Sequence, residues 1–452
     1  MPRLAPIATG ISMCFAISAH AATIAVTSGS LVESPSNCTI LDAVKSINQA
    51  SLVTGTACAV TTGPFGDNDT ALLGSNTFDF QNGLGGKYAG VALVVSKPMT
   101  MVGAMDGNGR PLATIRRDPN AAHFGLIATE ASLTLQGVTI TGGISDASAS
   151  GGAGGGILAV SPNTNNPITL ALVNSAVTGN SAVGNASKAS VGGGIAAYDA
   201  TVLVENTTIG AAGAGNVADI GGGIYAKGAP VYVTASSINS NLTTKSHDGS
   251  GYGYGGGIYS TIGAVLTNST ISGNYAYNGG GGVDAPIVNT NFCTLSGNTT
   301  RSGRPGGGVL LTGNTGSTSK YAQSIATLMT GNSPGNGVDA KNAGTRFGGD
   351  YNSIEHIGGN ITIAGNAHSK LMALACGAPS ALGNNGGPTQ TMALVPATNG
   401  CAIDAGPIST DGLSSDQRGA LFERRAGRAT DIGAFEYQPA NDRIFYDGFE
   451  LP

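Results

Sequence analysis

The sequence predicts an all-β protein built as a right-handed parallel β-helix, because two short phrases recur along it. In the first phrase three glycines precede an isoleucine or a valine, and the copies end at Ile157, Ile195, Ile224, Ile258, Val283 and Val309, with a weaker one at Val338. The copies lie about 30 residues apart, a period typical of solenoids. With 73 glycines and no tryptophan in 452 residues, the composition argues against an ordinary globular enzyme domain.

The second phrase alternates apolar residues and then reaches an asparagine, as in Leu170, Leu172 and Asn174. It recurs as Val202, Val204 and Asn206, and again as Leu266 and Asn268. A period of two in β-branched and aliphatic residues predicts strands. One unit is too small to bury its own apolar face, so the strands must stack on neighbouring units about 4.8 Å apart, with the right-handed connection that parallel strands favour.

A set of asparagines holds the same place after a strand in successive units. They are Asn180, Asn241, Asn274, Asn298 and Asn332. Stacked side-chain amides can hydrogen-bond along the axis, and asparagine tolerates a left-handed turn. The sequence therefore predicts an asparagine ladder.

The first residues indicate export. Residues 1–22 combine Arg3, an apolar run over residues 7–17 and a small residue on either side of His20, which is the pattern of a signal peptide. No later stretch is long enough to span a membrane as a helix. We expect a secreted or outer-membrane surface protein of a bacterium with no transmembrane segment in the mature chain.

The cysteines fit an oxidising compartment. Setting aside Cys14, two close pairs and one leftover residue remain, which predicts disulfides between Cys38 and Cys58 and between Cys376 and Cys401. The leftover Cys293 aligns with small residues of other units, namely Ser175, Thr207, Ser236 and Ser269. We expect it to be an inert buried thiol.

The two ends of the chain differ from the repeats. Around residues 38–51, Ile40, Val44 and Ile47 share one helical face, and Thr39 with Asp42 makes a capping box. A short helix here can cover the first coil. The sequence divides into a signal peptide (1–22), an N-terminal cap (23–75), the β-helix (76–345), C-terminal coils with a loop-rich cap (346–437) and a tail (438–452).

Both ends also carry a resemblance to a known family. The N-terminal run Cys38-Thr39-Ile40-Leu41-Asp42-Ala43-Val44 resembles the CSLREA segment of bacterial secreted β-helix proteins, with leucine where arginine is usual. The C-terminal runs Asn384-Asn385-Gly386-Gly387-Pro388-Thr389-Gln390-Thr391, Asp416-Gln417-Arg418-Gly419 and Asp431-Ile432-Gly433-Ala434-Phe435-Glu436 resemble the choice-of-anchor Q domain. The middle is similar to polymorphic outer-membrane-protein repeats. The resemblance implies an exported or surface protein and supplies no catalytic residues.

Two classes of function remain open. Parallel β-helices host pectate lyases and polygalacturonases, which need paired carboxylates or a calcium-binding cluster. The acids of the repeats are scattered, at Asp199, Glu205, Asp219, Asp248, Asp284 and Asp339. The pair His247-Asp248 lies in a polar loop, where a solvated turn is the favoured interpretation. We therefore expect a non-catalytic, adhesin-like protein without metal or cofactor, and keep a polysaccharide lyase or glycoside hydrolase as the alternative.

The candidate binding site lies beside the glycine phrases. Insertions precede the glycines at residues 181–191, 211–220 and 242–254, and seven of the 13 tyrosines lie between Tyr225 and Tyr277. The residue after each phrase should point out of the coil. These residues are Leu158, Ala196, Tyr225, Tyr259, Asp284, Leu310 and Asp339. We expect Tyr225, Tyr259 and Asp284, with Tyr252 and Tyr254, to bind a glycan or a protein, whereas a solvated face of ordinary strand tyrosines is the alternative. With a net charge of −5 and no basic cluster, nucleic acid is not an expected partner.

Overall fold

The chain coils into a parallel β-helix. The computed structural model describes residues 21–438, apart from residues 33–34, 85–87, 89, 147–151, 246–250, 313–320, 334–336, 341–344, 359–360, 366 and 372–374. In this part of the chain each coil contributes one strand to each of several long sheets, and neighbouring coils pair in parallel. The predicted fold class is confirmed. Most of the signal peptide and of the tail lies outside the described residues.

The largest sheet has 13 strands and runs the length of the solenoid. In spatial order its strands are Val60–Thr62, Thr23–Ala25, Asp69–Gly74, Met99–Gly103, Leu133–Gln136, Ile168–Val173, Ala200–Glu205, Val231–Thr234, Ala264–Thr267, Ile287–Asn291, Tyr321–Ile325, Thr345–Asp350 and Ile361–Ile363. Thr23–Ala25 pairs antiparallel with Val60–Thr62 and parallel with Asp69–Gly74. The solenoid therefore begins before residue 76 and continues past residue 345.

Three further sheets run beside the largest one, and the shortest of them spans six coils of the described chain. The 11-stranded sheet contains Thr77–Phe80, Ala113–Arg117, Val138–Thr141, Ala176–Thr178, Thr208–Ile209, Ser237–Asn239, Thr270–Ser272, Thr294–Ser296, Leu328–Thr330, Ser353–Ile354 and Lys370–Leu371. The six-stranded sheet contains Ile144–Ser145, Ser181–Ala182, Val217–Ala218, Leu242–Thr243, Tyr275–Ala276 and Thr299–Thr300. The ten-stranded sheet contains Val91–Val95, Gly125–Thr129, Ile157–Val160, Ile195–Tyr198, Ile224–Lys227, Ile258–Ser260, Val283–Ala285, Val309–Leu311, Gly337–Ala340 and His356–Ile357.

The core runs along the inside of the coil. The isoleucines and valines of the glycine phrases are fully buried and meet one another across coils, as Ile195 meets Ile224 and Ile224 meets Ile258. Strands such as Ala200–Glu205 bury alternate residues, as a sheet with one face inward requires, whereas Gly125–Thr129 is buried at every position. This column of aliphatic side chains is continuous with the core of the first coils.

The asparagine ladder is present and has one more member than the sequence predicts. In each step the backbone N–H and the side-chain Nδ2 of one asparagine donate to Oδ1 of the next, at 2.9–3.2 Å. The members are Asn180, Asn216, Asn241, Asn274, Asn298 and Asn332. The left-handed residue of this turn is the neighbour before the asparagine, such as Gly273 with φ 61°. The ladder asparagines tolerate a left-handed turn but do not themselves adopt it here.

A second ladder of small polar groups follows the strands of the 13-stranded sheet. The backbone N–H of Ser175 donates to Thr207 Oγ1 at 3.1 Å, and that of Thr207 donates to Ser236 Oγ at 3.1 Å. Cys293 occupies the same column as a free, fully buried thiol, and burial raises its pKa to about 12. The predicted inert thiol therefore stands where other coils place a hydroxyl.

A helix closes the N-terminal end of the coil. It spans Ile40–Gln49 and begins at Thr39, whose side chain and that of Asp42 form the predicted capping box. The helix buries Ile40, Ala43, Val44 and Ile47 against the strands of the first coils. The disulfide between Cys38 and Cys58 holds its start, with the two Cα atoms 4.5 Å apart.

The loop-rich C-terminal segment, residues 376–437, lies along the side of the solenoid. We call this segment the strap. Its Ile432 and Phe435 pack with Leu394 on Leu328, which points out of the 11-stranded sheet, and form a second apolar core. The strap contains a short helix, Pro396–Asn399, and the disulfide between Cys376 and Cys401. Both predicted cysteine pairs thus lie at disulfide distance.

Candidate functional site

The glycine phrases allow neighbouring coils to approach closely on one side. A Cβ atom on Gly223 would lie 2.5 Å from the carbonyl oxygen of Gly257, so a side chain there would collide with the next coil. Gly221 has φ 63°, which side-chain-bearing residues rarely adopt. The phrase therefore fixes where the following strand starts, and with it the direction of every side chain in that strand.

The residues after the phrases form one column on the outer side of the ten-stranded sheet. Ala196 pairs with Tyr225, Tyr225 pairs with Tyr259, and Tyr259 pairs with Asp284. Leu310 and Asp339 continue the same column. The predicted register is confirmed at each of these positions.

Two tyrosine rings in this column are stacked on each other. The ring centroids of Tyr225 and Tyr259 lie 5.4 Å apart with an interplanar angle of 4°. The ring of Tyr198, from the coil before, is tilted by 56° against Tyr225 at 5.7 Å. Each of these two rings therefore covers one face of the other, and the Tyr198 ring also lies against Tyr225.

The rings are half-buried rather than fully solvated. Tyr198, Tyr225 and Tyr259 pack against a small apolar cluster formed by Val191, Ala196 and Ile220. Burial raises the pKa of all three phenols above the ordinary value, and the nearby Tyr252 hydroxyl adds to this effect at Tyr225 and Tyr259. These phenols are therefore neutral hydrogen-bonding groups at physiological pH.

Tyr252 and Tyr254 belong to the loop that flanks this column. Tyr252 is 45% exposed. Tyr254 is half-buried and bridges to Gly279, and its carbonyl oxygen accepts a hydrogen bond from Gly221 N–H at 3.0 Å. The accessible site is consequently the set of Tyr198, Tyr225, Tyr259 and Tyr252, which we call the tyrosine face.

Asp284 does not contribute an open carboxylate to the tyrosine face. Its side chain stands next to Tyr259 in the column, as predicted, but only 1% of the residue is exposed. The hydroxyl of Thr312 donates a hydrogen bond to its Oδ1. The predicted platform of two rings beside a carboxylate is therefore wrong in this one member, because the carboxylate is buried and bonded to Thr312.

Tyr198 is the site residue that the sequence argument missed. It lies two residues beyond Ala196 in the strand Ile195–Tyr198 and so points to the same side of the sheet. Following the alternation one step further along the strand would have found it.

Three carboxylates of the repeats, those of Asp219, Asp284 and Asp339, accept hydrogen bonds within the protein. Asp219 is fully buried, and it accepts from Ser190 N–H at 2.9 Å and from Thr244 Oγ1 at 2.8 Å. Asp339 accepts from Gly306 N–H at 2.7 Å and lies 3.4 Å from His356 Nε2. Glu205 is half-buried, and burial raises its pKa. Asp248 lies outside the described residues.

Among the residues that the structure describes, no group of three or more histidine, cysteine, aspartate or glutamate side chains could hold a metal ion. Asp284 and Asp339 share one column but are separated by Leu310, which places them two strand spacings, about 9.6 Å, apart. Both are almost fully buried, so neither offers an oxygen to a substrate on the surface.

Comparison with known proteins adds no relative: no protein-family model, curated protein or solved structure matches the chain. Among the described residues, no helix is both long enough and apolar enough to cross a membrane.

Proposed function

We propose that the chain is an exported, non-catalytic, adhesin-like surface protein that binds a glycan or a protein through the tyrosine face. The observation that carries the proposal is the stacked pair of phenols from successive coils, Tyr225 and Tyr259, which lie in register on the outer side of the ten-stranded sheet. Tyrosine combines a large apolar ring with a hydrogen-bonding tip, which suits it to binding surfaces. Export is supported by the predicted signal peptide, by the resemblance at both ends and by cysteine pairs typical of oxidising compartments.

The ring geometry favours a protein partner over a glycan. A sugar that stacks on an aromatic residue needs a free ring face, and Tyr198, Tyr225 and Tyr259 already lie against one another and against the apolar cluster beneath them. A cluster of half-buried phenols instead suits the mixed apolar and hydrogen-bonding surface of a protein loop. Tyr252 is the more exposed ring and is the residue most open to a sugar.

Removing only the hydroxyl groups tests the site without emptying the apolar cluster beneath it. The double variant Tyr225→Phe, Tyr259→Phe keeps both rings, and Tyr232→Phe is its control, because Tyr232 lies on the 13-stranded sheet. We expect binding to glycan arrays and to panels of cell-surface proteins to fall about tenfold in the double variant alone, since two hydrogen bonds are lost. Undiminished binding would place the site elsewhere.

Catalysis is tested with the parent protein. Reducing-sugar release and absorbance of unsaturated products are measured on pectin, alginate and hyaluronan with calcium. We expect no turnover, because the column carboxylates are buried. Product formation above a heat-inactivated control would replace the binding proposal by the lyase or hydrolase alternative.

A further inference from the structure

The strap touches coils that do not touch one another. Towards the N-terminal end, Arg110 Nη2 donates to the carbonyl oxygen of Gly387 at 3.3 Å. In the middle, Thr389 Oγ1 donates to the carbonyl oxygen of Ala235 at 3.4 Å. Near the other end, the Cys376 N–H donates to Ser353 Oγ at 2.7 Å.

Between these points the strap makes further bonds to successive coils. Thr270 Oγ1 donates to Gln417 Oε1 at 2.6 Å, the Ala434 N–H donates to Thr294 Oγ1 at 3.0 Å, and the Gly433 N–H donates to the carbonyl oxygen of Ala326 at 2.9 Å. The strap is therefore bonded to three neighbouring coils, in two of them at a strand of the 11-stranded sheet and in the third at the turn before that strand.

The attachment points are also linked to one another inside the strap. Gln417 Nε2 donates to Thr389 Oγ1 and to the carbonyl oxygen of Gln390, both at 3.0 Å. This side chain joins the part of the strap that binds at Ala235 to the part that binds at Thr270. A displacement of either coil is therefore passed to the other through the strap as well as through the sheets.

Arg424 pins the strap to the solenoid. Its side chain is fully buried, and its Nη1 donates to Asn268 Oδ1 and to the carbonyl oxygen of Gly433 at 3.3 and 3.0 Å. Its Nη2 forms an ion pair with Glu436 Oε2 at 2.8 Å, and its guanidinium carbon lies 4.6 Å from the ring centroid of Phe292. Because Asn268 and Phe292 belong to adjacent coils, one side chain fastens both.

We propose that the strap is a lateral clamp that makes the coils between Arg110 and Ser353 open together. In a solenoid without such a clamp each coil contacts only its neighbours, so opening can start at an end and proceed coil by coil. The strap adds connections between coils that are not neighbours, so these coils no longer open one after another. A coil at either end of this clamped region can then leave only if the strap leaves as well.

Native-state hydrogen exchange of the full chain tests the clamp. In the parent, amides of Ala264–Thr267, Thr294–Ser296 and Ser353–Ile354 should exchange as one cooperative unit. In Arg424→Ala the protection factors of these amides should fall at least tenfold. The fall should be largest at Ser353–Ile354. The control Arg425→Ala, at the exposed neighbouring arginine, should match the parent.

The same measurement can overturn the proposal. If Arg424→Ala frees the amides of residues 376–437 while the coils keep their protection, the strap merely rests on the solenoid. If Arg424→Ala does not fold, Gln417→Ala replaces it, because that change cuts the link between Thr389 and Thr270, and Gln438→Ala is then the control. Unchanged coil protection in Gln417→Ala, with its two strap bonds lost, would equally reject the clamp.

Discussion

Each ladder asparagine from Asn180 to Asn298 hydrogen-bonds to the coil before it and to the coil after it. Asn274 Oδ1 accepts from the backbone N–H and Nδ2 of Asn241, while its own Nδ2 donates to the carbonyl oxygen of Ile238 and to Asn298 Oδ1. Because the side chain is fully buried, water cannot replace a lost partner. The ladder is therefore a place where one substitution affects three coils.

Replacing Asn274 by leucine should lower the free energy of unfolding by about 1 to 3 kcal/mol, because buried amide groups lose their partners. Asn165→Leu, at an exposed position in a loop, is the matched control and should change little. Asn278 cannot serve as this control, because it is 5% exposed and its Nδ2 donates to the carbonyl oxygen of Tyr252 at 3.0 Å. Equal shifts in denaturant midpoint for the two variants would remove the ladder as a source of stability.

The position of a single residue was predictable from the sequence where it lies at a fixed spacing from a repeated phrase. The glycine phrase placed Tyr225 opposite Tyr259 because nothing is inserted between the phrase and the strand it starts. Asn216 escaped because an inserted loop separates it from Ile209, although it precedes Val217 as Asn241 precedes Leu242. The burial of Asp284 could not be read from the sequence, since it depends on Thr312 from the next coil.

Among the elements, the N-terminal helix depends on its first residue. Thr39 Oγ1 accepts from the Asp42 N–H at 3.1 Å and donates to Asp42 Oδ2 at 2.8 Å, and both residues are fully buried. Thr39→Ala should therefore lower the free energy of unfolding by about 0.5 to 2 kcal/mol, with Thr54→Ala at an exposed position as the control. Thermal unfolding of the two variants side by side measures the difference. A Thr39→Ala midpoint equal to that of the control would mean that packing alone holds the helix.

The elements differ in how strongly the sequence encodes them. The helix Ile40–Gln49 and strands such as Ile168–Val173 have a clear period, and both were predicted. The six-stranded sheet was not, because its members are two residues long and no period can be recognised in Val217–Ala218 or Tyr275–Ala276. The strap was predicted to be loop-rich, but its lateral position depends on contacts with distant coils.

Across the whole molecule, the strap makes stability depend on pH near neutrality. Burial raises the pKa of Asp431 to about 6 and that of Glu436 to about 7, while Arg424 opposes the rise at both. A carboxyl group whose pKa is higher in the folded state stabilises that state fully below its unfolded pKa, and this contribution is lost as pH rises through the folded value. The free energy of unfolding should therefore fall between pH 5 and pH 8.

Denaturant titrations at several pH values in that range measure the slope. Glu436→Gln should flatten it, whereas Glu423→Gln, at an exposed carboxyl group, should leave it unchanged. Hydrogen bonds from the Arg110 N–H and from Gln81 lower the pKa of Asp106 and Asp118, so their contributions change below pH 4, outside the window. A parent protein that becomes more stable from pH 5 to pH 8 would contradict the assignment of this slope to the strap.

The strap also limits how many coils can lie between its attachment points. A duplication of one unit would lengthen the stack by about 4.8 Å, and the asparagine ladder would accept the new member because every step repeats the same bonds. The strap has no such repeat. Its attachments at Ala235, Thr294 and Ser353 come from one segment of fixed length, so the distances between these coils must match the distances between the bonding groups of the strap. We therefore expect that inserting or deleting a coil between Arg110 and Ser353 would break strap attachments, whereas a change in loop length would leave them intact.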